Sequence, residues 1–204
     1  MLLTGEAKTE KLGHTLYVLG DSSSFGWGVN FEKTYPFILV EKLKGASTKH
    51  INLKNLSLPG FSSFHGKLLW QELGDVKKDD WVILSFGWND SSSSRKTDQS
   101  QFELRNSAIG KVSWNLRQVL FFRWMRSWLT PLREPALVDE VDIGKRVPLK
   151  QYLNNLETLV EGVREKGAKP ILVSVCNFAE YQDGSSETAK NKKLPFYNFP
   201  AELE

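Results

Sequence analysis

Residues 17–28 read Tyr-Val-Leu-Gly-Asp-Ser-Ser-Ser-Phe-Gly-Trp-Gly, and the rest of the chain is organised around them. An apolar run ends abruptly at Gly20, Asp21 and Ser22. This pattern predicts a short buried strand that stops at a turn of small residues. In open α/β sheets the carboxyl ends of the strands are where ligands bind, and a nucleophilic serine must be exposed and rigidly held there. The alternative is an ordinary strand-to-helix turn, in which Asp21 and Ser22 only satisfy the local backbone.

The composition indicates one soluble globular domain that spans residues 1–204, with residues 1–13 as a loose tail. Of the 204 residues, 40% are hydrophobic and 25% charged, and the net charge of +3 is too small to indicate nucleic-acid binding. The single cysteine, Cys176, excludes an internal disulfide, and three histidines cannot assemble a zinc-type pattern. The first residues do not read as a secretory signal, so a cytoplasmic location is the default expectation. No apolar run approaches the length of a membrane span.

Predicted strands alternate with predicted helices along most of the chain. The strands are expected at residues 14–19, 51–58, 81–86 and 170–175, and the helices at residues 35–45, 63–73 and 148–167. Such alternation predicts a parallel sheet with right-handed crossovers, which is a three-layer α/β domain. Residues 101–145 interrupt the pattern as a helical insertion, and a polar loop is expected after Asn177.

Within the insertion, Ser113 to Thr130 is predicted to form a helix that is apolar almost all round, apart from Arg117, Arg123 and Arg126. The plainer interpretation is a helix packed on the domain, with its arginines reaching water. A sharper hypothesis is a flap that also contacts anionic lipid surfaces, since basic and aromatic residues together suit an interfacial helix. Nucleic-acid binding is the weakest of the three interpretations, and no nucleic-acid partner is predicted.

Each of the first three predicted strands ends in a motif of small and polar residues. The motifs are Gly20-Asp21-Ser22, Asn55-Leu56-Ser57-Leu58-Pro59-Gly60 and Gly87-Trp88-Asn89-Asp90. In a parallel sheet these ends meet at one edge. Ser22 could attack a carbonyl carbon there, while the N–H groups of Ser22 and Gly60 and the side-chain amide of Asn89 donate to the developing oxyanion. Gly60 suits this role because a residue without a side chain lets its N–H approach a substrate closely.

With these three motifs in order, the chain resembles the SGNH/GDSL hydrolase superfamily. The resemblance also covers Lys145 to Pro148 and the following helix start, which look like those of some family members. It implies a flavodoxin-like fold with sheet order 2-1-3-4-5, and an ester hydrolase acting on an acyl or acetyl ester. It further implies Ser22 as the nucleophile and Gly60 and Asn89 as oxyanion donors, with no metal or organic cofactor.

The chain departs from the family at its other end. The last family block, Asp-x-x-His, supplies the general base after the fifth strand, but no histidine follows His65 in this sequence. Either the chain is a C-terminally incomplete piece, which we favour, or the base has been lost. Residues 194–198 are interpreted as the approach to a helix before strand five. The sheet is therefore predicted in order 2-1-3-4 with the fifth strand missing, and the bare edge of strand four should favour self-association.

The three histidines of the chain are the other candidates for the base. His14 and His50 precede the first two strands, at the wrong edge of the sheet, while His65 lies on the correct edge but is explained as a residue that begins a helix. Cys176 ends the fourth strand and is interpreted as a small buried hydrophobic residue. The rival function, from another class, is a catalytically silent SGNH-like module that binds a glycan or lipid or serves as an interaction domain.

Overall fold

A computed structural model describes residues 13–46, 50–107 and 144–199, and every element given below lies in those ranges. The strands are β1 (His14–Gly20), β2 (Ile51–Asn55), β3 (Trp81–Ser85), β4 (Ser93–Ser94), β5 (Gly144–Lys145), β6 (Lys169–Ser174) and β7 (Phe196–Asn198). The helices are α1 (Ser22–Phe25), α2 (Tyr35–Ala46), α3 (Ser63–Glu72), α4 (Asp98–Asn106), α5 (Leu149–Glu165) and α6 (Ala179–Lys192). A single 3-10 turn, Phe31–Lys33, precedes α2.

The main sheet is parallel and has the order β2-β1-β3-β6-β7, which confirms the predicted α/β class. Successive side chains of a strand point to opposite faces, and β1 shows this alternation clearly. Tyr17 and Leu19 lie in one buried cluster with residues of α3 and α5, whereas Leu16 and Val18 lie in a second cluster with Val40 of α2. The sheet is therefore covered by helices on both faces, which gives the three layers.

The prediction that the fifth strand is missing is wrong. Phe196–Asn198 pairs in parallel with Leu172–Ser174 of β6, so β7 occupies the fifth position and is not the approach to a helix. Sequence reasoning missed it because three half-exposed or exposed residues after a proline carry no buried-strand pattern. Because β7 covers the edge of β6, the edge on which the predicted self-association depended is not bare.

Two helices were also missed. The segment expected to be a polar loop after Asn177 forms α6, whose buried face consists largely of small or polar residues, so no apolar periodicity marked it. The polar segment before the insertion contains α4, with Thr97 as its N-cap: its side chain accepts a hydrogen bond from the N–H of Ser100. The helix predicted for residues 113–130 lies outside the described residues.

Alanine substitutions at two glycines, one in α3 and one in α2, test the packing of α3 on the sheet. A Cβ at Gly66 would lie 2.3 Å from Cζ of the buried Phe86 ring, whereas a Cβ at Gly45 in α2 would meet nothing within 4 Å. We expect Gly66→Ala to lower the free energy of unfolding by about 1–3 kcal/mol, because overpacking displaces a buried ring. Gly45→Ala should be neutral or stabilise by up to ~1 kcal/mol. Urea unfolding measures both, and equal effects would show that α3 packs more loosely than described.

Candidate active site

The carboxyl ends of β2, β1 and β3 lie side by side, as expected for the three sequence motifs. Gly20 of β1 is in register with Ser85 of β3, so the segments that begin with Asp21 and Phe86 leave the sheet next to each other. The N–H of Leu58 donates to the carbonyl of Gly20 over 3.2 Å, which holds the loop after β2 against the same edge. The fold thus gathers the loops that carry Ser22, Gly60 and Asn89.

Ser22 is the first residue of α1, a helix of only four residues. Its carbonyl accepts hydrogen bonds of 3.0 Å from the N–H groups of both Gly26 and Trp27. Gly26 closes the helix with a left-handed φ of 85°, and a Cβ there would lie 2.2 Å from Cγ2 of Thr34. The backbone of Ser22 is therefore fixed, while its half-buried hydroxyl has no hydrogen bond among the described residues.

Asp21 is the N-cap of α1 and holds this turn through its side chain. One carboxylate oxygen caps α1 by accepting from the N–H of Ser23 over 2.9 Å, and the side chain is buried. Burial raises the pKa of Asp21 above its usual value. Asn55 also holds this turn, because its side-chain amide donates to the carbonyl of Ser24 over 2.8 Å. The asparagine that opens the second motif is thus a bridge between β2 and the serine turn.

Gly60 lies in a tight turn from Leu58 to Phe61. The N–H of Phe61 donates to the carbonyl of Leu58 over 3.1 Å, and Gly60 has a φ of +82°. Proline at the second position and a positive φ at the third are the signature of a type II turn, which favours glycine. Gly60 is exposed, and a Cβ there would meet nothing within 4 Å.

Asn89 is half-buried, and its side-chain amide donates to the carbonyl of Phe61 over 2.9 Å. An amide nitrogen carries two hydrogens, so this bond orients the group and leaves a second donor. Asn89 and the Gly60 turn are therefore in direct contact through Phe61.

Asp90 fixes the turn that carries Asn89. The buried carboxylate accepts from the N–H of Ser63 (2.9 Å), the hydroxyl of Ser63 (2.5 Å) and the N–H of Gly87 (3.1 Å). Burial raises the pKa of Asp90 to about 6 despite these donors. Asn155 of α5 also donates to the Ser63 hydroxyl over 3.0 Å, so one carboxylate joins β3, α3 and α5.

His65 lies in the first turn of α3, where it caps the helix together with Ser62. Its Nδ1 is 3.0 Å from the Ser62 hydroxyl and 3.6 Å from a carboxylate oxygen of Asp98, and its ring stacks on Phe61. Burial lowers the pKa of His65 below its usual value. The ring borders a cavity of about 580 Å³ that is also lined by Phe102 of α4. No hydrogen bond joins His65 to Ser22 within the described ranges.

The remaining two histidines and Cys176 lie where the sequence predicts them. His14 begins β1 and packs edge-on against Trp81, and His50 directly precedes β2, so both are at the amino ends of their strands. Cys176 is fully buried beyond the end of β6, and burial raises the pKa of its thiol. A raised pKa disfavours the thiolate, so Cys176 is not an activated nucleophile.

Sequence reasoning missed Asp98 and Arg146, which form an ion pair beside Gly60. Arg146 donates from Nε and Nη2 to the two carboxylate oxygens of Asp98, each over 3.0 Å, and Asp98 is only 6% exposed. The residues are 48 positions apart in the sequence. No local pattern could have paired them.

Residues 18–198 match the sequence model of the GDSL-like lipase/acylhydrolase family. The chain belongs to that family. It is therefore an ester hydrolase of the esterase and lipase type, and the resemblance stated from the three motifs is confirmed. No helix in the described ranges is long and apolar enough to cross a membrane.

Solved structures agree with the fold of this family member. TesA is similar over 90% of this chain and 77% of its own, with 16% sequence identity and a TM-score of 0.56. AlinE4, an SGNH-hydrolase family esterase, has 11% identity over 90% of this chain and 75% of its own, with a TM-score of 0.51. An Axe2 variant, an acetyl-xylooligosaccharide esterase from Geobacillus, has 17% identity over 91% and 77%, with a TM-score of 0.52. A search of curated proteins gave no match.

The titration of Asp90 should be visible in the stability of the protein. Because its pKa of about 6 in the folded state lies above the ~3.9 of an unfolded aspartate, the folded state binds the proton more tightly. The free energy of unfolding should therefore fall as pH rises from about 4 to about 6. Asp90→Asn removes this titration, so the stability advantage of wild type over the variant should shrink over that interval.

Urea unfolding at several pH values measures this difference. Asp183→Asn is the matched control, because Asp183 is an exposed acid on α6. A difference between wild type and Asp90→Asn that stays constant with pH would show that Asp90 does not titrate in this range.

Proposed function

We propose that the chain hydrolyses an acyl or acetyl ester through an acyl-enzyme on Ser22. The observation that carries this proposal is the convergence of three family motifs at one sheet edge, with the Ser22 backbone fixed and its hydroxyl left without a partner among the described residues. The hydroxyl oxygen attacks the ester carbonyl carbon and forms a tetrahedral intermediate. A general base takes the hydroxyl proton and gives it to the alcohol, which leaves the acyl group on Ser22; water, losing its proton to the same base, then releases the acid, and the base returns that proton to the Ser22 oxygen.

The negative charge of the intermediate needs donors that are already in place. The N–H groups of Ser22 and Gly60 and the second hydrogen of the Asn89 amide are the proposed donors. Gly60 is exposed and uncrowded, so a substrate oxygen can approach its N–H. Asn89 is held by Phe61 and by the turn that Asp90 fixes, so its direction does not have to be set during the reaction.

The proposed reaction also needs a general base. His65 is engaged by Ser62 and Asp98, and His14 and His50 lie at the opposite edge. We propose that the base belongs to an Asp-x-x-His block of the kind the family resemblance implies.

The edge of the sheet also offers an apolar wall for the substrate. Trp88 and Phe178 follow β3 and β6, are each 44% exposed, and pack edge-on with ring centres 5.8 Å apart. We propose that they contact the acyl or alcohol part of the ester. Axe2 acts on acetylated xylooligosaccharides, so a small acyl group on a sugar is one substrate to test first. Contact with anionic lipid through residues 113–130 remains a prediction, because that segment lies outside the described residues.

Chemical labelling and rescue test the role of Ser22. External imidazole can stand in for a missing histidine, so the 204-residue chain should hydrolyse p-nitrophenyl acetate slowly alone and faster with imidazole. The additional rate should vanish in Ser22→Ala and persist in Ser23→Ala, its exposed neighbour. A fluorophosphonate should label the peptide that contains Ser22. Equal imidazole-dependent rates in wild type and Ser22→Ala, with no label, would favour the silent binding module.

Substitution of Asn89 tests whether its side-chain amide is an oxyanion donor. We expect Asn89→Ala to lower the Ser22-dependent rate by about 10²–10³-fold, the usual cost of one donor in acyl transfer. Asn52→Ala, at an exposed position of β2, is the matched control. A rate unchanged by Asn89→Ala would remove that side chain from the proposed site.

His65 has a separate test. His65→Gln keeps a side chain that can cap α3, since glutamine at the third helical position suits a capping box. We expect it to leave the Ser22-dependent rate unchanged at pH 7. A loss as large as that in Ser22→Ala, in a protein of normal stability, would identify His65 as the base.

A further inference from the structure

Arg146 joins the Gly60 turn to a buried carboxylate. Its Nη2 donates to the carbonyl of Gly60 over 2.9 Å and to Asp98 over 3.0 Å, while its Nε donates to the other oxygen of Asp98. A guanidinium in a two-point bond with a carboxylate has a fixed plane and direction. The donor that reaches Gly60 is therefore held in place before any substrate arrives.

The pair is anchored by more than its own charges. The Ser62 hydroxyl donates to Asp98 over 2.6 Å, and the backbone N–H of Asp98 donates to the carbonyl of Arg146 over 2.9 Å. The N–H of Arg146 donates in turn to the carbonyl of Ser92 over 2.8 Å, beside the short antiparallel pair β4–β5. These bonds fix the Arg146 side chain beside the Gly60 turn, which lies in the loop after β2.

Hydrogen bonds hold the peptide groups of the Gly60 turn. A Cβ at Gly60 would meet nothing within 4 Å, so no neighbouring side chain limits the turn on that side. The peptide group between Gly60 and Phe61 is held at both ends: its N–H donates to Leu58 and its carbonyl accepts from Arg146. The next carbonyl, that of Phe61, accepts from Asn89.

We propose that Arg146 is a positioning residue for the oxyanion site, acting through the carbonyl of Gly60. It fixes the Gly60 turn directly, and it fixes Asn89 indirectly, because the amide of Asn89 is bonded to the same short segment. This role rests on the proposed function, in which Gly60 and Asn89 supply the oxyanion donors. The ion pair with Asp98 holds the guanidinium at the distance and angle that the Gly60 carbonyl needs.

Kinetics in the presence of imidazole test this role. Arg146→Gln should lower the Ser22-dependent kcat by about 10²-fold, the cost of a small misplacement of catalytic groups, with little change in KM. Arg146→Lys keeps the charge but cannot make the two-point bond to Asp98, so its kcat should lie between those of wild type and Arg146→Gln. Added guanidinium should restore part of the kcat of Arg146→Gln. Lys150→Gln, the loss of an exposed charge in the first turn of α5, is the control and should leave both constants unchanged.

A second variant separates positioning from folding. Arg146→Gln alone leaves Asp98 buried without its cation, which destabilises a protein. The double variant Arg146→Gln with Asp98→Asn removes both charges and should fold, yet its kcat should remain as low as that of Arg146→Gln. A kcat restored to the wild-type value in the double variant would overturn the proposal, as would a rise in KM with unchanged kcat or an equal loss in Lys150→Gln.

Amide hydrogen exchange gives a readout that needs no catalysis. Loss of the bond from Arg146 should loosen the Gly60 turn, so the protection of the Phe61 N–H should fall by about 10-fold, which corresponds to one hydrogen bond of ordinary net strength. Unchanged protection in the double variant would overturn the positioning role. If wild type shows no Ser22-dependent rate, the proposed function fails, and the exchange result still decides whether Arg146 orders the turn.

Discussion

The loops at the carboxyl edge of the sheet depend on the hydrogen bonds that the buried carboxylate of Asp90 accepts. In a parallel sheet the loops that follow the strands all begin at the carboxyl edge, and their buried backbone N–H groups must find partners there. Asp90 supplies acceptors to Gly87 in its own turn and to Ser63 at the start of α3. Burial makes the charged form costly, which is why its pKa rises to about 6, and the donors around it offset only part of that cost.

A second carboxylate, that of Asp98, holds the preceding residue, which is the N-cap of α3. Ser63 bonds to Asp90, and Ser62 bonds to Asp98, so the two residues that begin α3 are each held by a different acid. The first acid fixes the turn of Asn89, and the second fixes Arg146 and through it the turn of Gly60. The proposed oxyanion donors from β2 and β3 are therefore set relative to one helix start, although they come from separate loops.

The sequence predicted those parts of the fold that local patterns encode. The four longer strands of the main sheet, the three motifs after β1, β2 and β3 and the helix predicted from residue 63 each follow from a few consecutive residues. The strand β7 could not be predicted in this way, because its three residues become a strand only by pairing with β6. The same limit applies to α6, whose buried face is small and polar, and to the bond between Asp98 and Arg146. Long-range partners decide these features, and they leave no periodicity in the sequence.

Several buried polar side-chain atoms lie at the carboxyl edge of the main sheet, where the active site is proposed. Five buried side-chain atoms have no hydrogen-bond partner among the described residues, and four of them follow or end strands of the main sheet: those of Asp21, Ser85, Ser174 and Asn198. A buried polar group costs free energy unless a hydrogen bond, from the protein or from an ordered water, satisfies it. The Ser22 hydroxyl is half-buried and has no hydrogen bond among the described residues, although the Ser22 backbone is fixed by hydrogen bonds. These four groups lie at the ends of four adjacent strands of the main sheet, at the same edge as the three motifs and the proposed active site.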